Sequence, residues 1–105
     1  MPLAPPADTL PDEAVTFVLI VRIPAHGITA FQEYEARVLP LLAEHGGVLQ
    51  RRLRDDSGAT EIHLIRFPSV AHFDRYRADP GRAAHAHLMV ASQAETELLR
   101  MRDVS

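Results

Sequence analysis

The chain has no cysteine and no lysine. Without cysteine there are no disulfides, no thiolate metal ligands and no thiol nucleophile. That absence suits the reducing cytoplasm, which is the expected location. All 11 basic side chains are arginine, a pattern that reads first as genomic bias and second as selection for forked donors. Charge of one sign is also missing: the formal net charge is -3, so no strong field draws the chain to nucleic acid or an acidic membrane. The apolar runs are strand-sized, far short of the roughly 20 residues that span a bilayer. The first residues lack the basic stretch and apolar core of a signal peptide. With 105 residues there is room for one compact domain.

What is present divides into a lead-in and a domain. Residues 1–12 contain Pro2, Pro5, Pro6 and Pro11 and little apolar periodicity, so they read as a proline-rich N-terminal arm. Residues 13–105 form the domain. Val15 to Ile23 predicts a strand closed by Pro24, with Val15, Phe17, Leu19, Val21 and Ile23 on one face and Val18 and Ile20 on the other. From Ile28 to His45 the apolar spacing becomes helical through Phe31, Tyr34 or Glu35, Val38 and Leu42. Pro40 should kink or open that helix, and Gly46-Gly47 should end it. Val48 to Arg54 predicts a charged edge strand, with Leu49, Arg51 and Leu53 sharing one face. Asp55 to Gly58 makes a turn. Thr60 to Phe67 returns as a strand, with Ile62 and Leu64 opposite Ile65 and Phe67. Ser69 caps a second helix, Asp79-Pro80 restarts a helical segment to about Gln93, and Thr96 to Arg102 is a final strand.

The order β-α-β-β-α-β fits the split βαβ arrangement of an α+β, ferredoxin-like sandwich. Right-handed crossovers then give a four-stranded antiparallel sheet of order 4-1-3-2. The first and third strands are central, and both are apolar on two faces. Two helices cover one face only, and an apolar patch of several hundred Å² on the other implies an interface. The expected partner is a second copy, making a homodimer through the open face of the sheet.

The run Phe67-Pro-Ser-Val70, followed by Tyr76 and Asp79-Pro80, resembles the E-F-P-S…W-Y-x-S-P signature of a small bacterial family of unknown function. Phe31, Tyr34 and Pro40-Leu-Leu-Ala-Glu-His-Gly-Gly47 resemble that family's first helix and its ending. The resemblance runs from Val15 to about Val104 and implies the dimeric α+β barrel superfamily. Antibiotic-biosynthesis monooxygenases, muconolactone isomerases, haem-degrading monooxygenases and stress-responsive barrels belong there. Arg66 stands where that pattern has an acid, and Arg77 and Arg82 stand where it has aromatics. The haem-degrading pattern uses an Asn, a Trp and a helix His, and this chain has neither Asn nor Trp.

Among candidate site residues, His63 on a central strand is the candidate general base or ligand-anchoring donor. It also suits a core histidine whose ring nitrogens are satisfied. Arg66 is paired with it as a catalytic candidate that polarises oxyanion charge. Tyr34, Tyr76, Arg22 and His85 are candidate ligand-binding residues; the tyrosines also read as aromatics packed on the sheet, and Arg22 as solvated or paired with an acid at the dimer interface. His85-Ala-His87 cannot chelate from one helical face, because i and i+2 diverge. No metal is expected, since no H-x-x-x-H or H-E-x-x-H spacing is present. No cofactor is expected either, since there is no Gly-rich phosphate loop. The resemblance implies a cofactor-independent monooxygenase or isomerase acting on a small hydrophobic or aromatic compound. A ligand-binding or stress-response module, and a structural dimer that works through partner contacts, remain alternatives. Fold alone does not choose among them.

Overall fold

In the computed structural model β1 (Val15–Arg22) pairs antiparallel with β3 (Thr60–Phe67) on one side and β4 (Glu95–Met101) on the other. β3 also pairs antiparallel with β2 (Val48–Arg54), giving the order β2-β3-β1-β4. This is the expected 4-1-3-2 order read from the opposite edge. The fold is therefore ferredoxin-like α+β. The structure describes residues 13–104; the proline-rich arm 1–12 lies outside the described residues.

α1 (Ile28–Val38) buries Phe31, Tyr34, Glu35 and Val38, the i, i+3, i+4, i+7 stripe of an amphipathic helix. At Leu39 the winding tightens to 3-10 and continues to His45. Pro40 has no N–H for the i−4 carbonyl, which is why the α-helical ladder opens there as expected. Gly46 adopts φ 75°, and Gly47 N–H closes onto Leu42 O at 2.8 Å, ending the segment with a left-handed cap.

α2 (Val70–Arg77) starts at Ser69, whose Oγ accepts from His72 N–H at 3.2 Å. Asp79 Oδ1 accepts from Gly81 N–H at 2.7 Å and starts α3 (Pro80–Ala84). The segment expected to run unbroken to Gln93 is interrupted at His85, and α4 (Ala86–Ser92) follows. Gly27, before α1, lies so close to the end of α4 that a Cβ there would overlap the Ser92 carbonyl.

The helices lie on one face of the sheet. Beneath them Val15, Phe17, Tyr34, Val38, Leu42, Ile65, Phe67 and Tyr76 form one buried cluster, and Val21, Ile23 and Phe31 form another. Phe73 packs on Phe17 and Phe67 with ring centroids 4.2 and 5.4 Å away. The pair Leu19–His63 crosses the sheet between the two clusters. At this level the covered face turns polar.

β2 departs from its expected pattern. A bulge between Leu49 and Arg51 adds a residue, so Leu49 pairs with Ile65 but Arg52 pairs with His63 and Arg54 is opposite Glu61. One inserted residue reverses the alternation. Leu49, Arg52 and Arg54 thus share the covered face, while Arg51 and Leu53 turn to the open one. The open face also carries Val18, Ile20, Ile62, Leu64, Leu99 and Met101. Leu53, Ile62, Leu99 and Met101 are exposed there. Among the described residues no helix is long and apolar enough to cross a membrane.

Candidate functional site

Strand alternation places Glu61, His63, Ile65 and Phe67 on the covered face of β3. Glu61 and His63 are fully buried. A buried carboxylate needs strong donors, and the bulge in β2 delivers them. Arg52 Nε and Nη2 donate to Glu61 at 2.8 and 3.2 Å, and Arg54 Nε donates at 2.8 Å. His63 Nε2 is 2.8 Å from Glu61 Oε1. Burial pushes the Glu61 carboxyl up, but the bonds from Arg52, His63 and Arg54 outweigh it and hold the group at about 2. Glu61 is therefore an ionised acceptor across the ordinary pH range. An ionised acceptor requires a proton on His63 Nε2, which leaves the lone pair on Nδ1.

That Nδ1 is buried and has no hydrogen-bond partner among the described residues. The nearest acid is Glu35 on α1, with Oε2 3.6 Å away. Burial raises the Glu35 carboxyl from its ordinary 4.5 to about 7; Arg52 and Arg82 oppose that rise and Glu61 adds to it. Burial also lowers the His63 imidazole, against the support of Glu61, so the ring is neutral at neutral pH. His63 is thus a neutral base held in one tautomer by a clamped carboxylate.

His63 lines a cleft of about 280 Å³ between the sheet and the helices. Tyr34, Tyr76, Arg82 and Phe73 line it with Glu35 and His63, and Leu98 of β4 stands at its half-open side. Arg82 Nη2 donates to Tyr34 Oη at 3.3 Å, and its guanidinium sits 4.7 Å over the Tyr76 ring. Arg82 Nε is buried with no partner. Burial pushes the Tyr76 hydroxyl up to about 12, so it stays protonated. Two residues of this lining thus carry buried polar atoms without a partner among the described residues, the acceptor His63 Nδ1 and the donor Arg82 Nε, on walls that are otherwise largely aromatic and aliphatic.

Of the residues singled out from sequence, His63, Tyr34 and Tyr76 meet in this cleft. Arg66 and Arg22 do not. Each lies opposite the covered residues in the strand alternation, Arg66 against Thr16 and Arg22 against Thr60 on the open face. Arg22 makes an exposed 3.6 Å pair with Glu97 there. His85 sits at the break between α3 and α4 and does not line the cleft. Sequence reasoning missed Glu35, Glu61, Arg52, Arg54 and Arg82 as site residues. Among the described residues no group of three or more His, Asp or Glu is placed to hold a metal ion.

No family model and no curated protein matches the chain. Solved structures do. SnoaB, a cofactor-independent oxygenase from Streptomyces nogalater, is 26% identical with a TM-score of 0.68, over 88% of this chain and 96% of that one. A protein from Caulobacter crescentus CB15, provisionally classed as an antibiotic biosynthesis monooxygenase, superposes with a TM-score of 0.69 at 10% identity, over 94% and 100%. A nipsnap family protein of unknown function from Agrobacterium tumefaciens gives 0.64 at 16% identity, over 90% and 93%. These likenesses agree with the ferredoxin-like fold. They span nearly the whole of each chain.

Proposed function

We propose that the chain is a cofactor-independent monooxygenase of small, enolisable aromatic compounds. The observation that carries this reading is the buried Nδ1 of His63, unpartnered among the described residues, on a ring that Glu61 fixes in the wall of an aromatic-lined cleft. The likeness to SnoaB supports the oxygenase class.

In this scheme His63 Nδ1 removes one of the two protons of a CH2 carbon beside a carbonyl. Arg82 and the Tyr34 hydroxyl steady the charge that develops on the substrate oxygen. The electron pair of the carbanion reduces dioxygen as a C–O bond forms. The resulting hydroperoxide loses water to leave a new carbonyl, so one oxygen atom enters product and the other leaves as water. Where dioxygen does not react, the same proton removal and return at another carbon is an isomerisation. Arg66 has no part in this scheme, because it points to the other side of the sheet.

A second copy packed on the open face completes the proposal. Leu53, Ile62, Leu99 and Met101 are exposed there beside half-buried Val18, Ile20 and Leu64, which is costly to leave wet. Sheet-to-sheet dimerisation removes that surface from water and forms the barrel that the Phe67–Val70 signature implies. We place the dimer in the cytoplasm, free of nucleic acid and membrane.

The test is a panel of enolisable aromatic ketones and hydroquinones, with dioxygen uptake followed by electrode and product mass read after ¹⁸O₂ labelling. Uptake with one labelled oxygen in product supports the oxygenase. Proton exchange without uptake assigns the isomerase. Stoichiometric binding with neither makes the cleft a ligand-binding module and overturns the catalytic reading.

A further inference from the structure

Glu35 is the one carboxyl among the described residues lining the cleft, and the scheme above leaves it idle. Its carboxyl is 5% exposed, makes no side-chain hydrogen bond among the described residues, and stands 3.6 Å from the lone pair of the base. A buried Nδ1 without a partner among the described residues, facing an almost wholly covered carboxyl across that distance, is costly unless the two share something. A single proton is what they have to share.

We propose that Glu35 is a positioning residue that gates His63: its carboxylic acid form occupies the Nδ1 lone pair, and its carboxylate form frees it. This rests on His63 being the base of the proposed reaction. With the proton on Glu35, the acid O–H points at Nδ1 and a small inward shift closes a hydrogen bond. The lone pair is then engaged and the base is blocked. With the proton gone, Nδ1 is free. The imidazolium formed when substrate gives up its proton then lies between two carboxylates, Glu61 on Nε2 and Glu35 on Nδ1.

The groups that face Glu35 support a gate working near neutral pH. Burial pushes its acid form to persist to about 7. Arg52 of β2 and Arg82 of α3 favour the carboxylate, while Glu61 of β3 disfavours it. Tyr76 stays neutral in this range, and Tyr34 and Arg77 also line the cleft. β1, β4 and α4 contribute only Leu19, Thr96, Leu98 and Met89, which carry no charge. Below 7 the gate is shut and above 7 it is open. Burial holds the His63 imidazole below its ordinary range, so the rise near 7 belongs to Glu35 and activity then levels.

The test needs no substrate in its first arm. Nitrogen-15 NMR of the His63 ring, from pH 5 to 9, is compared between the wild-type protein and Glu35→Gln. The proposal expects the Nδ1 resonance to move from hydrogen-bonded to free acceptor with a midpoint near 7, while Nε2 stays protonated. In Glu35→Gln that transition should vanish. A resonance that does not move, or moves equally in both proteins, overturns the gate. In the second arm, dioxygen uptake with the reactive member of the ketone panel should fall about tenfold per pH unit below 7 in the wild type. The limb should be flat in Glu35→Gln. If His63→Gln abolishes uptake but the limb persists in Glu35→Gln, the gate fails and the base stands. If the NMR transition is present but His63→Gln leaves uptake unchanged, the base assignment fails instead.

Discussion

The two faces of this sheet break the usual rule of burial in opposite directions. The covered face hides Glu61, His63 and Glu35 among Phe, Val and Tyr, whereas the open face exposes Leu53, Ile62, Leu99 and Met101. An exposed Leu alone says little, but a buried carboxylate or a contiguous apolar patch does. Here both occur on one sheet, alternating residue by residue along β3. The lesson is that alternation lets a single strand serve two purposes: Glu61 and His63 build a site on one side while Ile62 and Leu64 build a surface on the other. Neither side is explained by the stability of an isolated domain.

The largest effect should come from opening the covered face at Glu61. Glu61→Ala leaves the buried His63 and the partly exposed Arg52 and Arg54 without their shared acceptor, and should cost about 3 kcal/mol in urea denaturation. Acid should do the same more gradually. The Glu61 carboxyl lies below its ordinary range, so its contribution is present above 4.5 and is lost as pH falls towards 2.

Glu35 should behave in the reverse sense. Its folded-state value of about 7 exceeds the ordinary 4.5, so the folded protein keeps that proton longer than the unfolded chain. Stability should therefore fall as pH rises from 4.5 through 7, by up to about 3 kcal/mol. Glu35→Gln should abolish that decline, stabilising the protein at pH 8 and changing it little at pH 4. Denaturation midpoints at the two pH values check the sign; equal effects at both would contradict it.

On the open face the expected change is in assembly. Ile62→Glu puts a charge in the centre of the patch and should convert the dimer to monomer in sedimentation velocity. The folded monomer itself should shift by less than about 1 kcal/mol, because the site is already solvated there. A monomeric wild-type protein would remove the rationale for that face. Arg66→Ala should have the smallest effect, within about 0.5 kcal/mol in stability and with no change at the cleft.

The sheet was legible because β1 and β3 carry β-branched and aromatic residues in alternation, and Pro24, Gly46 and Pro68 punctuate them. The Pro40 break and the Ser69 and Asp79 caps were legible because each follows from a missing N–H or a short oxygen-bearing side chain. The site was legible only where it used the strongest local signal, a histidine inside an apolar strand. Glu35 was visible as an alternative to Tyr34 on the helical stripe, and both prove to be inside. Arg52 and Arg54 were hidden by the bulge, which moves them to the covered face although their spacing from Leu49 assigns them to the other. Arg66 misled for the complementary reason: three residues from His63 along a strand means the opposite face. An i, i+2 pair of Glu61 and His63 on a face otherwise filled by Ile65 and Phe67 was the signal that could have revealed the clamp.

The central claim is that chemistry belongs to the covered face at His63. It is tested most directly by measuring kcat/KM for the reactive ketone with His63→Gln and Arg66→Ala side by side, in folded protein verified by circular dichroism. The account predicts a loss of about 100-fold or more for His63→Gln and wild-type turnover for Arg66→Ala. Full activity in His63→Gln with loss in Arg66→Ala would contradict it and move the chemistry to the open face.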